Sequence, residues 1–183
     1  MAVVDQTLEV DIPQFAGLSV GVMRKLKQLL QIISQISPFK PNYSDLARDI
    51  SVKRDDLKEY IFYMEKSGMI QGLTAPDKGL NLLAKIDKIY LDNTNLMHAL
   101  CGDNCEIGNI RETFFFNQMK GRNTVTSSPA SDFYVNDKYT FEVGGRKKGK
   151  KQIKDVENSY VVKDDIEYAY SNVIPLWAFG LNY

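Results

Sequence analysis

The chain holds 2 cysteines and 1 histidine in 183 residues, and this scarcity removes several functions at the outset. Cys101 and Cys105 are too few for a disulfide scaffold. With a single histidine, neither a Ser-His-Asp nor a Cys-His nucleophilic arrangement finds support. Net charge is missing too. The 23 Lys and Arg balance 23 Asp and Glu, so any attraction for nucleic acid must come from local patches. No apolar run approaches the roughly 20 residues that span a bilayer, and the N-terminus does not resemble a signal peptide. A membrane is therefore not an expected partner, and the cytoplasm is the expected compartment. What is present, 44% hydrophobic and 25% charged residues, is the composition of a folded chain, long enough for one ordinary domain or two small ones.

Residues 1–17 show no clear period and are broken by Pro13 and Gly17, which predicts an extended lead-in. From Ser19 to Ser37, Val22, Leu26, Leu29, Leu30 and Ile33 recur at helical spacing. The segment PFKP (Pro38 to Pro41) ends that helix, and Asn42 is the expected cap of a short one carrying Leu46, Ala47 and Ile50. A third helix follows, with Leu57, Tyr60, Ile61 and Met64 on its buried stripe and Gly68 at its end. Met69 to Leu73 and Lys85 to Leu91 read as strands around a loop containing Pro76 and Gly79. Three helices and then a hairpin is the layout of a winged helix-turn-helix, expected over 18–91, and YSDLARDISVKRDDLKEYIFYMEKSGMI resembles the helix-turn-helix part of such modules. As a DNA reader it has a weakness. Arg54, Lys58 and Lys66 on its third helix are mixed with Asp55, Asp56, Glu59 and Glu65, which repel a phosphate backbone.

After a connection at Asp92–Asn109, a second unit is expected over 92–183. Ile110 to Lys120 reads as a helix with a broad aromatic face. Strands follow near Asn123–Thr126, Ser131–Val135 and Tyr139–Val143, then a short helix near Lys150–Val156, a strand at Ser159–Val162 and a closing segment at Ile174–Gly180. The class is α+β, and the order αβββαβ is that of the restriction-endonuclease-like core. If Asn136, Asp137 and Lys138 form the turn of a hairpin, Val135 faces Tyr139 and Asp132 faces Glu142. Phe133, Val135, Tyr139, Phe141 and Val143 then share one face and the two acids the other.

Two carboxylates so placed are a candidate site for Mg²⁺, whose chemistry in phosphodiester hydrolysis is to activate water and neutralise charge on the phosphorus centre. Glu112, on the preceding helix, is a candidate third acid. In the PD-(D/E)xK pattern a lysine stands two residues after the second acid, and here that position is Gly144. Arg146 and Lys148 are the next residues on that face that could reach back. The alternative is that Asp132 and Glu142 are a solvent-facing pair. Arg146, Lys147, Lys148, Lys150 and Lys151 form a basic run suited to a nucleic-acid backbone, or simply a solvated loop. Gly144, Gly149 and Lys150 match the spacing of an ATPase phosphate loop, but Lys151 stands where its hydroxyl residue belongs, and the chain that remains is too short for such a core. His98, Cys101 and Cys105 would supply three metal ligands where structural zinc takes four, so buried cysteines and a packed histidine are expected instead.

The motifs LDNTNL (Leu91–Leu96), RETFF (Arg111–Phe115) and YTFEVGG (Tyr139–Gly145), with the chain around them, resemble the C-terminal part of a family of predicted bacterial and archaeal AAA-type ATPases. In that family a P-loop domain precedes a winged helix and a C-terminal domain of nuclease-like fold. The resemblance implies that an ATPase half with the Walker motifs precedes Met1, so that this chain requires no cofactor of its own, admits Mg²⁺ and leaves ATP to the other half. It implies as partners the ATPase domain of the same parent chain, DNA, and a second copy of the chain. Many relatives carry acid-x-Lys where this chain has Glu142-Val143-Gly144. The resemblance therefore admits three roles: a catalytically silent nuclease-like recognition domain, an active Mg²⁺-dependent DNA nuclease, and a pure protein-docking module.

Overall fold

The structure is a computed structural model that describes residues 2–76 and 86–181. It divides into two compact units, 1–72 with 88–105 and 73–87 with 106–183.

In the first unit, residues 2–16 are helical, not an extended lead-in. Helix α1 (Ala2–Gln6) passes through a π-helical turn (Thr7–Asp11) into α2 (Ile12–Ala16). Val4, Leu8 and Ile12 recur every fourth residue and are buried, the helical signal that Pro13 and Gly17 concealed. A proline has no N–H to give and its ring crowds the carbonyl four residues back. The widened turn, in which the Ile12 N–H reaches Thr7, lies immediately before it. Gly17, with φ 64°, then ends α2 in the left-handed conformation. Lys27 ties this segment to the next helix through ion pairs with Asp5 and Glu9.

The following helices lie where the periodicity puts them: α3 (Val20–Ile36), α4 (Tyr43–Asp49) and α5 (Arg54–Lys66). Asn42 caps α4, its side-chain oxygen accepting from the Ser44 and Asp45 N–H groups. Leu57, Tyr60, Ile61 and Met64 are buried on α5, and Gly68 is left-handed just past its end. Strands β1 (Ile70–Thr74) and β2 (Ile86–Leu91) follow. Gly79 and Lys85 of the expected hairpin lie outside the described residues. The connection expected at Asp92–Asn109 contains a further helix, α6 (Thr94–Cys101), capped by Asn93 through the Leu96 N–H and anchored by buried Met97.

In the second unit, α7 (Ile107–Lys120) precedes β3 (Val125–Ser127), β4 (Phe133–Val135), β5 (Tyr139–Gly144), β6 (Ser159–Lys163) and β7 (Val173–Pro175). The sheet is mixed. β3, β4 and β5 run antiparallel in sequence order, β6 and β7 add in parallel to β5, and Thr74 pairs in parallel with Thr126 of β3. The hairpin register is the expected one, with Val135 opposite Tyr139 and Phe133 opposite Phe141 around a turn whose Asn136 and Asp137 take positive φ. Phe115 of α7 packs its ring on Phe133, Phe141 and Phe179, with centroids 5.0, 5.2 and 4.8 Å away. Ile153, Val161 and Val173 form a second cluster.

The helix expected at Lys150–Val156 is only a 3₁₀ turn, Lys151–Ile153. The crossover from β5 to β6 also contains the Gly145–Lys148 turn, closed by the Lys148 N–H on the Gly145 carbonyl, and Ile153 is its one fully buried anchor in the 3₁₀ segment. A one-anchor segment of three residues has no face on which to propagate an α-helix. Two further elements belong to the unit: β7, short and ending in Pro175 as an edge strand tolerates, and a 3₁₀ segment, Leu176–Leu181. The described helices include none long and apolar enough to cross a membrane.

Candidate functional site

Asp132 precedes β4 and Glu142 lies within β5, and the hairpin brings them together. The Val143 N–H donates to Asp132 Oδ2 over 2.8 Å, a bond from the backbone next to Glu142. Glu142 is 1% exposed, so the solvent-facing alternative fails for it. Its register partner on β6 is Val161, a member of the apolar cluster, which explains the burial. A carboxylate in such surroundings requires compensation. Ser131 Oγ donates to Glu142 Oε2, and the Lys148 ammonium stands 2.5 Å from Oε1 as its ion-pair partner.

The lysine beside Glu142 is therefore Lys148, four residues after Gly144. The stem of Lys148 folds back across Gly144, and a Cβ at that position would stand 2.8 Å from Lys148 Cβ. The absence of a side chain at 144 is what opens the path. Between Arg146 and Lys148, the two residues considered for this reach, the structure selects Lys148. Arg146 is exposed.

Electrostatics bind Glu112 into the same group. Burial, followed by the Glu112 charge, pushes Asp132 up to about 6 from an ordinary 3.8, against the Val143 N–H that favours the carboxylate. Burial opposes the Lys148 ammonium, yet Glu142, Asp132 and Glu112 together raise its pKa above the usual 10.5. Lys148 is therefore a fixed cation rather than a base. Three carboxylates with one ammonium leave a negative excess, and all-oxygen donors suit Mg²⁺ or Mn²⁺. The chemistry of the set fits such a cation at Asp132 and Glu142, although no group of three His, Cys, Asp or Glu among the described residues is drawn close enough to hold a metal as it stands.

The rest of the expected basic run is exposed at Arg146, Lys147, Lys150 and Lys151, whereas Lys148 is committed to Glu142. The carbonyl of Arg146 accepts from Lys163 Nζ, and Arg111 pairs with Asp164 over 2.9 Å through Nε. The zinc candidate is excluded by its thiols: Cys101 and Cys105 are joined in a disulfide, and His98 is exposed rather than packed. A disulfide four residues long uses both cysteines locally, which the count of two had left out of consideration. On α5, Lys58 pairs with Asp55 and Lys66 sits 5.6 Å from the Phe62 ring, while Arg54 is exposed.

Residues 2–106 match the family model described as Domain of unknown function (DUF8612). The chain belongs to this family. The match ends before α7 reaches Glu112, so Asp132, Glu142 and Lys148 all lie in the chain that follows the DUF8612 segment. No curated protein and no solved structure matches the chain.

Proposed function

We propose that the second unit is a nuclease-like domain acting on a phosphodiester. The observation that carries this reading is the Lys148–Glu142 pair, which restores an acid-acid-lysine set across Gly144. Asp132 and Glu142 would hold a divalent cation, which when bound polarises the phosphate and activates water. Lys148, held protonated, presents positive charge to the phosphate as negative charge develops there. Burial and the Glu112 charge both favour an added positive charge at Asp132, a proton or a cation. Arg146, Lys147, Lys150 and Lys151 offer phosphate contacts beside it.

A specific observation favours a second reading, a catalytically silent recognition domain. Glu142 is already engaged by Ser131 and Lys148, so the quartet is satisfied in part without a metal. The deciding experiment is calorimetric titration of Mn²⁺ and Mg²⁺ into the chain and into an Asp132→Ala, Glu142→Ala double variant, followed by incubation with plasmid and single-stranded DNA. Saturable binding and cleavage, both lost in the double variant, establish the active reading. Folded protein with no cation binding leaves the silent one.

For the first unit the proposal is a winged-helix-type docking module that meets the ATPase domain of an AAA-type parent. The resemblance of its motifs supports it, as does an apolar hollow of about 530 Å³ lined by Ile12, Phe15, Phe62 and Tyr63. Salt-independent association with that domain, reduced by Phe15→Ser, is the expected result.

A further inference from the structure

Among the described residues, an open cavity of about 520 Å³ in the second unit is lined by Arg146, Asp164, Asp165, Ile166, Glu167 and Trp177. Its walls descend from the same strand ends that position Lys148. The Asp164 N–H bonds to the Gly144 carbonyl, Lys163 holds the Arg146 carbonyl, and Asp164 is fixed by Arg111. Trp177 is the one tryptophan of the chain and is 56% exposed. It is not a frayed end. Leu176 beside it is buried, and Phe179 two residues on is packed against Phe115 and Phe141. A large flat ring is thus held outward by neighbours that are anchored inward. Tyr168 and Tyr170, on the segment that follows Glu167, are exposed as well.

We infer that this cavity is a docking site for an unpaired nucleobase, stacked on Trp177 with its sugar-phosphate on Arg146. A rigid exposed aromatic beside an exposed arginine is a combination by which proteins hold single strands, because every base has a face to stack and the link beside it a charge to neutralise. Asp165 and Glu167 are exposed and form no salt bridge among the described residues. They repel a phosphate but accept hydrogen bonds from amino and imino groups on a base edge, which orients the base inward and the backbone outward. A paired base hides that edge and its stacking face, so the site selects single-stranded nucleic acid over duplex. This inference deepens the phosphodiester reading and rests on it.

The test uses the intrinsic fluorescence of Trp177 in the full chain, in EDTA so that cation binding plays no part. Single-stranded DNA and RNA oligonucleotides are expected to quench it saturably, with the two compared to learn which sugar is preferred. A duplex and an abasic strand of equal charge are expected to bind about 10-fold more weakly or not at all. Labelled-oligonucleotide anisotropy is expected to show about a 10-fold loss for Trp177→Ala, recovery with Trp177→Phe, and loss of base preference for Asp165→Asn with Glu167→Gln. Equal binding of the abasic strand, or unchanged affinity in folded Trp177→Ala, overturns the inference. Because the readout needs neither Asp132 nor Glu142, failure of the metal site leaves its outcome intact, and the reverse also holds.

Discussion

The side chain of Lys148 lies over Gly144 so closely that a methyl group there would stand 2.6 Å from Lys148 Cδ and 2.7 Å from Cγ. Gly144 does not have positive φ, so its backbone suits any residue and only space forbids a side chain. Gly144→Ala is expected to push Lys148 off Glu142 and lower stability by about 1–3 kcal/mol, the usual cost of overpacking. Urea unfolding checks it, and a cycle with Lys148→Ala isolates the cause. With Cγ and Cδ gone, the alanine at 144 should cost less than in the parent, the residual cost being its contact with the Cβ that Lys148→Ala retains.

Removing the lysine alone acts on the other partner. Lys148→Met retains most of the stem and deletes the charge, leaving the 1% exposed Glu142 without its cation. Breaking a buried pair costs about 3–5 kcal/mol, and the lower end applies because Lys148 is itself 33% exposed. Replacing both together, Glu142→Gln with Lys148→Met, is expected to recover more than half of that loss in the same unfolding experiment.

The N-terminal segment makes a separate prediction for the first unit. Leu8 is 1% exposed in the π-helical turn. Leu8→Ala is expected to cost about 2–5 kcal/mol, whereas the neighbouring exposed Glu9→Ala loses only a surface ion pair with Lys27, worth at most about 1 kcal/mol. Differential scanning calorimetry of the two variants distinguishes a core element from a lead-in.

These residues also show what the sequence can and cannot disclose. The register that pairs Asp132 with Glu142 was legible because strand alternation and the Asn136–Asp137 turn both specify it. Lys148 was legible only as one of two residues able to reach back, since the choice depends on how the Gly145–Lys148 turn closes. Helix α1 to α2 was hidden because Pro13 outweighed the spacing of Val4, Leu8 and Ile12. The widened turn that reconciles them leaves no pattern of its own. The Asn93 cap signalled α6, but a helix with one buried residue, Met97, has almost no periodicity to read. Trp177 drew no notice because exposure of an aromatic is a property of packing, not of sequence.

The pH dependence of stability tests the burial of Asp132 and, after it, the crowding by Glu112. Asp132 titrates at about 6 in the folded chain and near 3.8 when unfolded, so between these values the native state binds more protons. Stability then falls as pH rises from about 4 to about 6, and the favourable contribution present below 4 is gone at neutral pH. The difference of about 2 pKa units corresponds to at most about 3 kcal/mol. Asp132→Asn keeps an oxygen to accept the Val143 N–H and removes the ionisation. It is expected to flatten that slope and to exceed the parent in stability at pH 7.5. Mn²⁺ at that pH should stabilise the parent and not the variant, because a cation at Asp132 offsets the same buried negative charge that protonation removes. Urea midpoints at pH 4.5, 6 and 7.5 decide it, and a parent that gains stability across this range would show that Asp132 is not held up by burial and the Glu112 charge.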